Sequence, residues 1–146
     1  MGALSLIALR ELKNGIKGVA QRKRVTLTSA QILALNATPV ELLPAPGAGY
    51  ANVVQEVVAS LDAGATQYTG ANALEIRYTN GSGSKVTGDI AAALIDSATD
   101  RMDRAIAAAV TSIPANAAVV AVVPTADPAA GDGTITLEVL YRVVKL

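Results

Sequence analysis

The chain has 146 residues, 12 Lys and Arg against 12 Asp and Glu, and no Cys, His, Trp or Phe. Without imidazole or thiol there is no Ser-His-Asp triad, no Cys nucleophile and no His or Cys ligation of zinc or haem, so an enzyme would run on Asp, Glu, Lys, Tyr and Ser alone. One domain suits this length, and its core must come from 29 Ala, 16 Val, 15 Leu and 9 Ile with four Tyr as the large side chains.

A core of small aliphatics is thin per residue at about 25 cal/mol per Å² of buried apolar area, which predicts an oligomer or a partner surface. The absence of Cys says little about compartment in a chain long enough to need no disulfide. The longest apolar run, Ala117 to Val123, falls far short of the roughly 20 residues that cross a bilayer. Met1 to Leu9 is apolar but has no cationic stretch before it, so it does not read as a secretory signal. No membrane association is expected.

The zero net charge hides an asymmetry. Residues 1–24 carry Arg10, Lys13, Lys17, Arg22, Lys23 and Arg24 against Glu11 alone, and residues 25–146 carry the remaining six cations against eleven acids. The chain therefore divides into a basic N-terminal arm, 1–24, and a single acidic domain, 25–146.

In chain order, Leu4, Ile7, Leu12 and Ile16 recur near the helical period, predicting a short amphipathic helix over 4–13 that Gly15 and Gly18 interrupt. Gln21 to Arg24 reads as an extended or partner-ordered segment. From Val25 the texture becomes β-branched, with turn residues about every ten positions, the spacing of an all-β sandwich or barrel. Val25 to Leu27 reads as a strand, and Thr28 or Ser29 caps a helical turn over 30–35. Pro39 to Leu43 reads as a strand that Pro39 confines to an edge or to its first position. The stretch from Pro44 to Gly49 is a corner.

Asn52 to Leu61 is a long strand with Val53, Val57, Ala59 and Leu61 facing inward, while Val54 and Val58 signal two-sided burial or a bulge. Leu74, Ile76 and Tyr78 alternate with Glu75, Arg77 and Thr79 as a half-buried strand. Asn80 to Gly83 supplies the positive-φ turn of a hairpin that returns through Lys85 to Thr87. Residues 90–95 and 100–110 are rich in Ala, Leu, Met and Arg, and Asp100 with Arg104 makes an i,i+4 pair, so propensity favours helix there. Ala117 to Val123 and Thr134 to Val144 close the chain as strands, the second with Ile135, Leu137, Val139, Tyr141 and Val143 on one face.

Candidate sites are few. Gly81 to Lys85 resembles a phosphate-binding loop only superficially, since the spacing between the glycines is wrong; it reads as a turn. Gly47 to Gly49 lacks the third glycine of a dinucleotide fingerprint. Asp96, Asp100 and Asp103 would share one helix face, and Asp127 and Asp132 flank a turn, but neither set has the rhythm of a calcium loop, and they read as helix and turn aspartates. No catalytic residue, metal or cofactor is expected. The arm lacks the aromatics that stack on bases, so nucleic acid is not the expected partner. Docking on an acidic protein surface fits Arg10, Lys13, Lys17, Arg22, Lys23 and Arg24 best.

Beyond these readings, the order of short motifs resembles the head decoration, or cement, proteins of tailed bacteriophages. The matching stretches are Val25 to Leu33, the corner from Pro44 to Gly49, Gln67 to Gly70, Leu74 to Gly83, Gly131 to Leu137 and Tyr141 to Val144. The resemblance spans about 120 residues of strand and turn motifs; the arm and the alanine-rich stretch from Ile90 to Ala109 lie outside the pattern. It implies a mainly β, antiparallel, jelly-roll-like sandwich with one or two short helices. It also implies a non-enzymatic virion protein that binds the outside of an assembled capsid as a homotrimer and clamps the lattice of the major capsid protein. Another phage structural subunit, of tail, connector or fibre base, has the same texture; a carbohydrate-binding sandwich is disfavoured by the absence of Trp platforms.

Overall fold

The computed structural model describes residues 17–109 and 112–146. Its strands are β1 (Gln21–Leu27), β2 (Val40–Leu43), β3 (Tyr50–Asp62), β4 (Glu75–Tyr78), β5 (Arg101–Ile106), β6 (Val119–Val122) and β7 (Thr134–Lys145). One helical turn, α1 (Ser29–Ile32), follows β1, and one 3-10 turn, Ala92–Leu94, precedes β5. The strands form two antiparallel sheets, ordered β1-β7-β3-β5 and β2-β6-β4, so the expected sandwich of strands with short helices is what folds.

The second sheet has a fourth position. Residues 84–90 run back beside β4 through bridges Leu74 to Ile90 and Arg77 to Lys85, with the Val86 N–H donating to Ile76 O at 2.8 Å. With that segment counted, each sheet has four places, and the chain wraps between them as in a jelly roll.

The core is the inner face of both sheets. On β7 every odd residue from Ile135 to Val143 is buried, and on β4 Ile76 and Tyr78 are, as alternation predicts. β3 is subtler. Asn52 and Val54 face inward, then Val57, Ala59 and Leu61. The change of parity happens at a bulge, where Val54 pairs with Tyr141 but Glu56 pairs with Leu140, leaving Gln55 as the extra residue. Val54 rather than Val53 is thus the inward residue, and the bulge accounts for the apparent two-sided pattern.

Thr28 caps α1 with a reciprocal pair of hydrogen bonds: its hydroxyl accepts from the Gln31 N–H at 3.3 Å, and Gln31 Oε1 accepts from the Thr28 N–H at 2.9 Å. Two expectations change. The positive φ of the β4 turn falls on Thr79, at 68°, and not on Asn80 or Gly81. Gly83 is required there for a different reason, since a Cβ on it would lie 1.7 Å from Tyr78 O.

The second change is larger. Residues 101–106 form β5, antiparallel to β3, where helix propensity points the other way. Without β5, the outer edge of β3 would carry unpaired N–H and C=O groups, and satisfying them outweighs the few tenths of a kcal/mol per residue that propensity offers. Asp100 and Arg104 consequently do not pair: Asp100 accepts from the Ala63 N–H at 2.9 Å, and Arg104 lies 3.9 Å from Glu56.

Candidate functional site

Among the described residues the larger depressions, about 430 Å³ beside Ala34 and Glu41 and about 500 Å³ beside Asn80 and Thr125, are open to solvent, and the more enclosed hollows are smaller. One between the sheets, lined by Val53, Val54, Tyr78, Lys85, Val86 and Ala107 among others, has about 110 Å³, against roughly 300–1,000 Å³ for ligand pockets. The aspartates singled out as metal candidates serve as loop fasteners. Asp96 accepts from the Ala71 N–H at 3.2 Å, Asp127 from the Asn36 N–H at 2.6 Å and Asp132 from the Thr66 N–H at 2.8 Å, while Asp103 faces Arg101 at 3.1 Å. The helix face that would have gathered Asp96, Asp100 and Asp103 does not form. Among the described residues no three His, Cys, Asp or Glu stand close enough to hold a metal ion, and no helix is long and apolar enough to cross a membrane.

The surface carries more information. The outer face of β2-β6-β4 is covered by its own chain. Glu75, 6% exposed, receives Arg77 at 2.6 Å and Lys85 at 3.0 Å above Val120 and Val122, and Lys85 also reaches Asp89 at 2.7 Å. Those hydrogen bonds, to Asp89 first and to Glu75 next, raise the Lys85 pKa. The turn at Gly81 packs against Pro39 and Val122.

Among the described residues, the outer face of β1-β7-β3-β5 has no such cover. Register places Arg22, Leu140, Glu56 and Ile106 in one cross-strand row, Arg24, Glu138, Val58 and Arg104 in the next, and Thr26, Thr136, Ser60 and Met102 in the third. Met102 and Ile106 are 68% and 64% exposed. Arg22 reaches Glu138 at 2.8 Å, a surface pair that contributes about 0–1 kcal/mol.

The basic residues read from the sequence separate into groups. Arg10 and Lys13, with the helix expected over 4–13, lie outside the described residues. Lys17 sits over the Tyr50 ring, 3.6 Å from its centre, beside a bridge to Val143. Arg22, Lys23 and Arg24 are not a free arm but exposed positions of β1 itself, paired with Leu140, Val139 and Glu138 of β7. Antiparallel pairing then brings Arg142 and Lys145 of β7 to the same end. These two were missed, because their membership depends on a register that joins positions more than 100 residues apart.

At the opposite end, Asp62 at the end of β3 and Asp103 near the start of β5 join Asp96, Asp100, Asp127 and Asp132 of the loops before β5 and β7, with Arg101, the first residue of β5, as a cation among them. Among the described residues, the imbalance along the sequence is thus a polarity along the strand axis.

No family model matches the chain, and no curated protein does. Among solved structures it is similar to a chain of the capsid of Ralstonia phage GP4, at TM-score 0.52 and 20% identity, with 86% of this chain and 85% of that one covered. A chain of the cyanophage Pam1 capsid asymmetric unit is similar at TM-score 0.51 and 18% identity, covering 87% and 86%. A glycoside hydrolase family 43 arabinoxylan arabinofuranohydrolase from Bacillus subtilis, at TM-score 0.32 with 23% of its chain covered, is too distant to bear on function. What the two capsid chains share with this one is the fold.

Proposed function

We propose that the protein is a structural component of a phage virion, a decoration protein that binds the outside of an assembled capsid as a trimer and transforms no substrate. The observation that carries this reading is the end-to-end likeness to chains from two phage capsid structures, which covers at least 85% of each partner in both cases. A match over whole chains concerns the complete sandwich and not a shared hairpin. The open face of β1-β7-β3-β5 and the polarity of its ends supply a surface suited to covering a repeated protein lattice.

Such a protein acts by mass action. Binding the assembled lattice and not its dissociated subunits stabilises each site by RT ln(1 + [L]/Kd), about 2.7 kcal/mol at a hundredfold excess over Kd. Closed threefold symmetry engages three such surfaces at once, so weak single contacts combine. Melting of the capsid with and without the protein tests the reading: the expected result is a rise in melting temperature that saturates with protein, together with density repeated over the shell in virion images. An unchanged melting temperature at saturation, or density confined to one vertex or to the tail, refutes it.

A further inference from the structure

The two flanks of the sandwich are unlike. On one, residues 84–90 bond to β4 and also to the end of β5: the Gly88 N–H donates to Ile106 O and the Ala108 N–H to Val86 O, both at 3.1 Å. That flank is sewn shut. On the other, β1 pairs with β7, and among the described residues no strand lies on its outer edge. An edge strand turns alternate N–H and C=O groups outward, unpaired and available to another chain.

The side chains along that edge select what can be added. Arg22, Lys23 and Arg24 are consecutive and exposed; Arg22 reaches back to Glu138, while Lys23 and Arg24 make no ion pair among the described residues. A second copy of β1 is a poor occupant. Antiparallel pairing centred on Lys23 would set Arg22 against Arg24 twice and Lys23 against itself, and like charges directly opposite destabilise a sheet. A strand with carboxylates at those positions gains cross-strand attraction where a copy would meet repulsion.

We infer that the edge of β1 over residues 22–26 is a docking site for an extended acidic segment of another protein, which adds as a fifth strand to β1-β7-β3-β5. Backbone hydrogen bonds hold the segment, and carboxylates opposite Arg22 and Arg24 on the outer face set its register. The inference stands on the edge and its charges. It does not depend on the virion role, and a peptide measurement separates the two.

The probe is a labelled eight-residue peptide alternating Glu with Val and Thr, added to the full chain and followed by fluorescence anisotropy and amide hydrogen exchange. The expected result is saturable binding that weakens with salt, with new protection of amides within 22–26. Replacing Arg22→Gln, Lys23→Gln and Arg24→Gln together weakens binding about tenfold. Methylating every second peptide nitrogen removes backbone donors without touching the protein, and so tests strand addition even if the triple variant fails to fold. No binding of the acidic peptide, equal binding of its Lys counterpart, indifference to N-methylation, or protection outside β1 overturns the inference. Self-association of a folded triple variant that never bound the acidic peptide would mean that the cations only repel like strands.

Discussion

Tyr68 shows how much one side chain can depend on distant backbone. It is 2% exposed and its hydroxyl donates to Gly133 O at 2.7 Å, 65 residues away. Gly131 admits the ring: at φ +89° it takes a conformation few side chains adopt, and a Cβ there would lie 2.2 Å from Tyr68 Cδ1. Tyr68→Phe should lower unfolding free energy by about 1–2 kcal/mol in urea, because a buried carbonyl loses its donor. Burial raises the pKa of Tyr68, Tyr78 and Tyr141 above the usual 10.0, with the charge of Asp132 adding to the rise at Tyr68. A raised folded-state pKa means the native fold holds the phenolic proton more tightly than the unfolded chain does. The stability linked to these groups is therefore complete below pH ~10 and is lost as pH rises through the folded values. Melting temperature across the alkaline range should fall in that window, and less steeply in a folded Tyr68→Phe variant. That Tyr would anchor the core is legible from composition; which carbonyl it reaches is not, because the partner is set by how two loops meet.

At the scale of an element, β3 carries its bulge as one extra outward residue. Deleting Gln55, an exposed residue, would remove the bulge by joining Val54 directly to Glu56, with Val54 still opposite Tyr141 and Glu56 still opposite Leu140, so Asn52, Val54, Val57, Ala59 and Leu61 would all keep facing inward. The expected loss is about 1 kcal/mol, because the Ala107 N–H that donates to Gln55 O at 3.0 Å loses its acceptor, read as a shift of the urea midpoint, while Gln55→Ser should stay within about 0.5 kcal/mol. The bulge leaves a trace in the sequence, the run of Val53, Val54, Val57 and Val58 that suits neither a one-sided strand nor a helix. β7 and β4 are plainer, since each buries one face and alternates. β5 could not be read, because Ala105 is its one buried residue and the local composition, with Met102 and Arg104, favours helix. Its strand character comes from the edge of β3, whose paired residues lie 40 to 50 positions earlier.

For the whole molecule, the polarity of the ends governs long-range attraction. Arg142→Glu with Lys145→Glu should weaken association with an acidic partner surface and flatten its salt dependence, with little change in melting temperature, as both lie near the exposed end of β7. Titration at two salt concentrations checks this. The excess of cations before residue 25 is legible from composition; the gathering of Arg142 and Lys145 beside it is not, because it follows from antiparallel pairing of the first and last strands. One consequence reaches past any single contact. Since residues 84–90 stitch β4 to β5, that flank offers no edge for a sheet to grow from, and among the described residues strand addition is confined to the flank where β1 and β2 end the two sheets. Copies crowded at high density can then take on a guest strand from one side of the sandwich and not from both.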